Sequence, residues 1–311
     1  MNHLRKPVVS VVLPVFNGER FIEASVRSVL GQSFVDLELI IVNDGSTDST
    51  LTILERLAKT DCRVILVSQS NQGLVSSLNA GVKLAKGDYV ARMDADDLSM
   101  LDRFSLQLKY LQNNVDVDIV GGQVLVQDEA GVIVGKIIRP VSHECVLSFL
   151  RYGCPIVHPT YMVRTSVFKL LGGYRDIAGA EDLDFLIRAA LLGCRMGNLE
   201  EYVLIYTRNL TGISSTIAFQ QMRNTRILLA NYRKRRVVNL GLFSRMSNNV
   251  GFWGLLSRAW FNFFYILISN LIIQERKRYG VDQVVRLILY SLMHYELSFS
   301  LMRKIKRRFH Y

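Results

Sequence analysis

Four short β-branched, apolar runs alternate with helix-patterned stretches across the first hundred residues, and this alternation constrains the fold most. The runs are "VVSVVLPVF" (8–16), "LELIIVND" (37–44), "RVILVSQ" (63–69) and "DYVARMD" (88–94). Between them lie "ERFIEASVRSVLGQ" (19–32), "STDSTLTILERLAK" (46–59) and "GLVSSLNAGVKLAKG" (73–87), the last expected to close on Gly87. Strands separated by helices of this length predict an α/β fold, with a mainly parallel central sheet and helices on its faces.

In such sheets ligands sit beyond the carboxyl ends of the strands. Those ends fall at residues 14–17, 43–46, 68–71 and 93–97, so Asp44, Asp94, Asp96 and Asp97 are expected on one rim. The densest part is "ARMDADDLS" (91–99). Like charges without lysines between them repel unless a cation or ligand compensates. Hard oxygen ligands without nearby Cys or His suit Mg²⁺ or Mn²⁺ rather than zinc. The spacing excludes an EF-hand loop, which needs Gly at its sixth position and Glu at its twelfth. The ordinary alternative is that Asp96 and Asp97 cap the helix patterned in "SMLDRFSLQLKYLQ" (99–112).

Residues 115–139 alternate as a hairpin with its tip at 128–131. Further on, "GGYRDIAGAEDLDFLIRAALLG" (172–193) places Glu181, Asp182 and Asp184 in a first helical turn. Acids there are favoured by the helix dipole; equally, Asp182 projects as a general base for an incoming hydroxyl. Spacing leaves both readings open, and the preceding Gly-rich loop, suited to a pocket floor, leans towards the second.

Charge divides the chain. Residues 1–207 carry 20 Lys/Arg against 24 Asp/Glu, whereas residues 208–311 carry 18 against 3. "GFWGLLSRAWFNFFYILISNLII" (251–273) is long enough to cross a hydrocarbon core, but Arg258 within it opposes a span. The last thirty residues form a basic amphipathic pattern suited to a membrane surface; a buried bundle or homo-oligomer interface is the other reading. Nucleic acid is excluded as a partner, because the aromatics sit in apolar blocks instead of alternating with charge. A dehydrogenase is excluded because no Gly-x-Gly-x-x-Gly follows the first strand. Cys62, Cys145, Cys154 and Cys194 are scattered, as free thiols of a reducing compartment are, and the N-terminus lacks the pattern of a signal peptide. A cytoplasmic body attached peripherally to the cytoplasmic face of the inner membrane is expected.

Taken together, "SVVLPVFNGERFIEASVRSVLGQSF", "LIIVNDGSTDST", "NQGLVSSLNAGVKLAKGDYVARMDADD" and "AEDLDFLIRA" resemble a family 2 glycosyltransferase. The motifs keep the family's order over residues 8–214, which implies a GT-A-type, Rossmann-like nucleotide-binding domain at 1–214 and a helical, membrane-associating extension at 215–311. The resemblance implies that Pro14, Phe16 and Asn17 line the base pocket and that Asp44 bonds the base. Asp94, Ala95 and Asp96 would form the Asp-x-Asp motif, with Asp94 near the ribose and Asp96 on a metal. Asp182 would be the base, Glu181 would help to position the acceptor, and His158 (in "VHPTYM", 157–162) would be a structural or acceptor-side histidine rather than a metal ligand. Arg208 would touch the diphosphate, although it stands one place late and Asn209 replaces the family's His. The implied reaction is an inverting transfer from a nucleotide-sugar, a UDP-sugar by expectation, to a saccharide carried on lipid in bacterial surface polysaccharide synthesis. The alternative is a non-catalytic glycan-binding scaffold of the same fold.

Overall fold

A computed structural model describes residues 6–208 and 218–240, all within one compact unit, Met1–Arg245. The tail segment 251–273 and the basic amphipathic pattern after it lie outside the described residues. Among the described residues no helix is long and apolar enough to cross a membrane.

The predicted alternation forms as β1 (Val9–Val15), α1 (Ile22–Leu30), β2 (Leu37–Asn43), α2 (Thr50–Thr60), β3 (Val64–Ser68), α3 (Leu74–Leu84) and β4 (Tyr89–Arg92). These four strands are parallel, in the order β3-β2-β1-β4. The third helix ends at Leu84, short of Gly87. Gly87 instead lets the chain pass against β1, where a Cβ would sit 2.7 Å from the Ser10 nitrogen.

The second half comprises β5 (Leu98–Ser99), α4 (Arg103–Asn113), β6 (Val117–Gln127), β7 (Ile133–Ile137), α5 (His143–Leu150), β8 (Met162–Arg164), α6 (Thr165–Leu171), α7 (Glu181–Leu191), β9 (Arg195–Thr207) and α8 (Ala218–Tyr232). The sheet continues β4-β8-β6-β9-β5, with β7 paired to β6 as the expected hairpin. β8 runs antiparallel to both of its neighbours, while β6 and β9 pair in parallel, so the sheet is mixed with its longest ladders parallel.

Two apolar cores cover the sheet. Val9, Val11, Leu13 and Val15 of β1, with Tyr89 and Ala91 of β4, pack with α1, α2 and α4. Val12 and Val90 face the other way, into a core built by α3, α5, α6, α7 and α8. This is the two-residue alternation of a strand buried on both faces. α8 joins that second core through Leu228 and Leu229, and Asn224 Nδ2 donates to the Ala178 carbonyl at 3.0 Å.

Gly121 marks the tightest part of the sheet. A Cβ there would sit 2.2 Å from Ile156 Cγ2 and 2.4 Å from Asn198 Oδ1, both buried. Gly121→Ala is expected to lower stability by about 1–3 kcal/mol through overpacking, read as a lower denaturant midpoint with an unchanged slope.

Candidate active site

The strand β4 delivers the acidic cluster. Beyond its last residue, Asp94, Asp96 and Asp97 each offer a carboxylate oxygen, and these oxygens lie within 4.8 Å of one another. Asp97 is fully buried; one oxygen accepts the Thr207 N–H at 2.9 Å and the other has no partner among the described residues. Burial, then the charges of Asp94 and Asp96, pushes Asp97 well above the usual carboxylate range. Burial, then Asp94, raises Asp96 to about 6. Three converging acids, one with an orphaned oxygen, make a donor set that fits a hard divalent cation such as Mg²⁺ or Mn²⁺.

The ordinary capping alternative fails. β5 intervenes, and the N-cap of α4 is Asp102, five residues past Asp97. No lysine stands between these aspartates, but an arginine lies just before them. Arg92, only 5% exposed, presents its guanidinium to both carboxylate oxygens of Asp94. An arginine two residues upstream on a strand shares the face of Asp94, so alternation carried that signal.

Asp44 does not join the cluster. It lies at the end of β2, separated from β4 by β1, and its carboxylate serves the loop after β3. Oδ1 accepts from Gln69 Nε2 at 2.8 Å and from the Gln72 N–H at 2.9 Å, and Oδ2 accepts from the Gly73 N–H at 2.8 Å. Asp44 therefore shapes the loop beside the β1 and β2 ends. Next to it, Phe16 is 48% exposed at the end of β1, an aromatic face open to solvent. Asn17 takes a positive φ of 52° and ties the loops together: its N–H donates to Ser46 Oγ at 3.0 Å, and its Oδ1 accepts the Thr47 N–H at 2.8 Å. Pro14 lies within β1 opposite Val42, and Ala95 packs against the first core. The Arg208 N–H donates to the Gln127 carbonyl at 2.9 Å, one residue beyond the Thr207 amide that holds Asp97.

α7 supplies the opposite wall. Its first turn carries Glu181 and Asp182, with Asp184 directed elsewhere. Asp184 is fully buried, paired with the Arg175 guanidinium and with Arg188 Nε at 2.8 Å. Arg188, in the last turn of α7, also donates to the carbonyls of Leu171 and Gly173, each at 2.7 Å, which ties α7 to the end of α6. Asp184 is thus structural, whereas Asp182 keeps lighter company. Its Oδ1 accepts the Leu183 N–H at 2.7 Å, and its Oδ2 accepts from Cys154 Sγ at 3.4 Å. Burial raises its proton affinity. Burial, then Asp182, pushes Glu181 up to about 7. His158 is buried, 3.8 Å from Glu181 through Nδ1 and 3.1 Å from the Tyr174 hydroxyl through Nε2. Desolvation drives it well below the usual imidazole value, so it stands neutral.

Cys154 and Tyr174 at this wall carried no sequence signal, because their partners lie 28 and 16 residues away. The four cysteines are free.

In this mixed α/β fold, the three-aspartate cluster beyond β4 and the acidic pair that opens α7, both within reach of the charge of Arg92, form the candidate site. The family model for glycosyl transferase family 2 matches residues 10–171, and the chain belongs to that family. It is 36% identical over 200 residues to the putative glycosyltransferase EpsE of Bacillus subtilis, covering 63% of this chain and 71% of that one. Among solved structures, S. aureus TarS 1–349 in complex with UDP-GlcNAc superposes with a TM-score of 0.55 at 20% identity, covering 72% of each chain. Mannosyltransferase PcManGT from Pyrobaculum calidifontis, in complex with GDP-Man and Mn²⁺, gives 0.59 at 19% identity, covering 93% of this chain and 81% of that one.

Glu181 makes a pH-dependent contribution of known sign. Its folded pKa of about 7 lies above the usual 4.5, so folding favours its protonated form. The stability it contributes is present below the unfolded value and is lost as pH rises through about 7. Glu181→Gln is therefore expected to lose less stability than the parent between pH 5 and pH 8, by on the order of 1 kcal/mol. Urea midpoints at the two pH values check this.

Proposed function

We propose that the chain is a metal-dependent, inverting glycosyltransferase. It moves a sugar from a nucleotide-diphosphate donor, a UDP-sugar, to a hydroxyl of a lipid-linked saccharide in bacterial surface polysaccharide synthesis. The observation that carries this reading is the pairing of the Asp94–Asp96–Asp97 cluster with the Glu181–Asp182 pair in a member of this family. The complexes of TarS with UDP-GlcNAc and of PcManGT with GDP-Man and Mn²⁺ support a nucleotide-sugar donor and a divalent ion.

In this reading Phe16 stacks on the base, and Asp44, through the loop it holds, shapes the base pocket with Pro14 and Asn17. Asp94 and Asp96 would hold the metal, with Ala95 in the turn between them and Asp97 beside them in the same cluster. A bound metal neutralises the charge that grows on the departing diphosphate. Arg208 adds a guanidinium at the same end.

Asp182 takes the proton of the acceptor hydroxyl. As that proton leaves, the acceptor oxygen forms a bond to the anomeric carbon, and the carbon–oxygen bond to the diphosphate breaks with its electron pair on the diphosphate. One displacement inverts the centre, so an α-linked donor gives a β-linked product. Burial makes Asp182 a stronger base than a solvated aspartate. Glu181 and neutral His158 line the acceptor side. The basic tail, by its sequence, brings this site to an anionic membrane where a lipid-linked acceptor resides.

Two substitutions separate the roles. Asp96→Asn is expected to weaken Mn²⁺-dependent UDP binding by at least about tenfold. Asp182→Asn is expected to keep donor affinity and to lose about 10²–10⁴-fold in turnover. Calorimetry with UDP and a nucleotide-release assay over UDP- and GDP-sugars read both. Normal turnover in Asp182→Asn would remove the base assignment.

A further inference from the structure

Arg92 closes β4, the strand that feeds the acidic cluster, and alternation turns its side chain towards α7. Its guanidinium holds both oxygens of Asp94. Its Nε is buried without a partner among the described residues, so Asp94 does not exhaust its hydrogen-bonding capacity. The same positive charge favours the anionic forms of Asp96, Asp97, Glu181 and Asp182, placing it within electrostatic reach of both acidic walls.

A divalent ion entering the cluster therefore meets an aspartate already occupied by a cation, and a fixed positive charge beside the aspartates. Both effects weaken the binding of metal alone. A nucleotide diphosphate reverses the balance, because its oxygens accept guanidinium hydrogen bonds and its charge offsets that of Arg92. We propose that Arg92 is a positioning residue that makes metal binding conditional on the nucleotide, acting as the counter-ion of Asp94 until a diphosphate shares its charge. The inference rests on the glycosyltransferase reading and adds to it an order of events: ion and nucleotide load together. By reciprocity, the factor by which nucleotide tightens the metal equals the factor by which metal tightens the nucleotide.

Mn²⁺ binding, followed by electron paramagnetic resonance on the full chain with and without UDP or GDP, tests this. For the parent, a nucleotide is expected to tighten Mn²⁺ by about tenfold or more. Arg92→Met, which removes the charge and keeps apolar bulk, is expected to bind Mn²⁺ alone about tenfold more tightly and to lose most of the nucleotide effect, while its turnover falls. Arg92→Gln, which keeps donors without charge, is expected to behave likewise and stands in should the methionine variant fail to fold. Arg92→Lys, which keeps the charge, is expected to retain much of the coupling.

A merely structural role would weaken metal binding and turnover together, and that result in both neutral variants overturns the proposal. So does parent-like coupling in folded Arg92→Met or Arg92→Gln. If the parent itself shows no nucleotide-linked Mn²⁺ binding, the metal-dependent reading falls first and takes this inference with it. If only the variants match the parent, the inference alone falls.

Discussion

The two-residue alternation of β4 is the constraint from which the site follows. This strand lies between β1 and β8, covered on both faces. Tyr89, Ala91 and Met93 commit to one core, and Val90 commits to the other. The even positions that follow are bound to emerge on the face of α7, where the next large side chains are Arg92 and Asp94. A guanidinium at that depth requires an anion, because uncompensated charge in a covered layer is costly. The Arg92–Asp94 pair answers that requirement and leaves a charged lip where the strand runs out.

The opposite wall is placed by groups that take no part in the chemistry. The carboxylate of Asp184 is consumed by Arg175 and Arg188, and the remaining donors of Arg188 seize the carbonyls of Leu171 and Gly173. On the other flank, Asn79 exchanges two hydrogen bonds of 2.9 Å with the backbone of Tyr174. Tyr174 in turn meets His158, and His158 approaches Glu181. Three acids within one helical turn thus divide the work. Asp184 anchors the helix, while Glu181 and Asp182, which form no arginine hydrogen bond among the described residues, are raised in proton affinity by burial.

Features governed by periodicity were legible in the sequence: the four parallel strands, the β6–β7 hairpin and the start of α7 at Glu181. Features governed by distant partners were not. Asp97 looks like a helix cap because its neighbours suggest one, yet its amide partner, Thr207, is 110 residues away. Asp44 reads as a rim acid because it follows a strand, but nothing local reveals that its oxygens also hold the loop at 69–73. Asp184 and Asp182 are indistinguishable as first-turn acids until the positions of Arg175 and Arg188 are known. Arg92 stood in view two residues before Asp94, and strand alternation alone placed the two on one face.

Burial imposes opposite demands on the two walls. A general base gains from desolvation, which raises its affinity for the proton it must take. A metal ligand loses by the same effect, since a protonated carboxylate cannot coordinate, and Asp96 and Asp97 are both shifted upward. A single arginine beside the cluster moderates the conflict, because its charge favours the anions on both walls while it competes with a metal for one of them. In the proposed reaction a diphosphate would relieve that competition by giving the guanidinium a second anion. Under the proposed function the donor would complete the electrostatics of its own site, and the crowded acidic lip of β4 would be balanced in the loaded state.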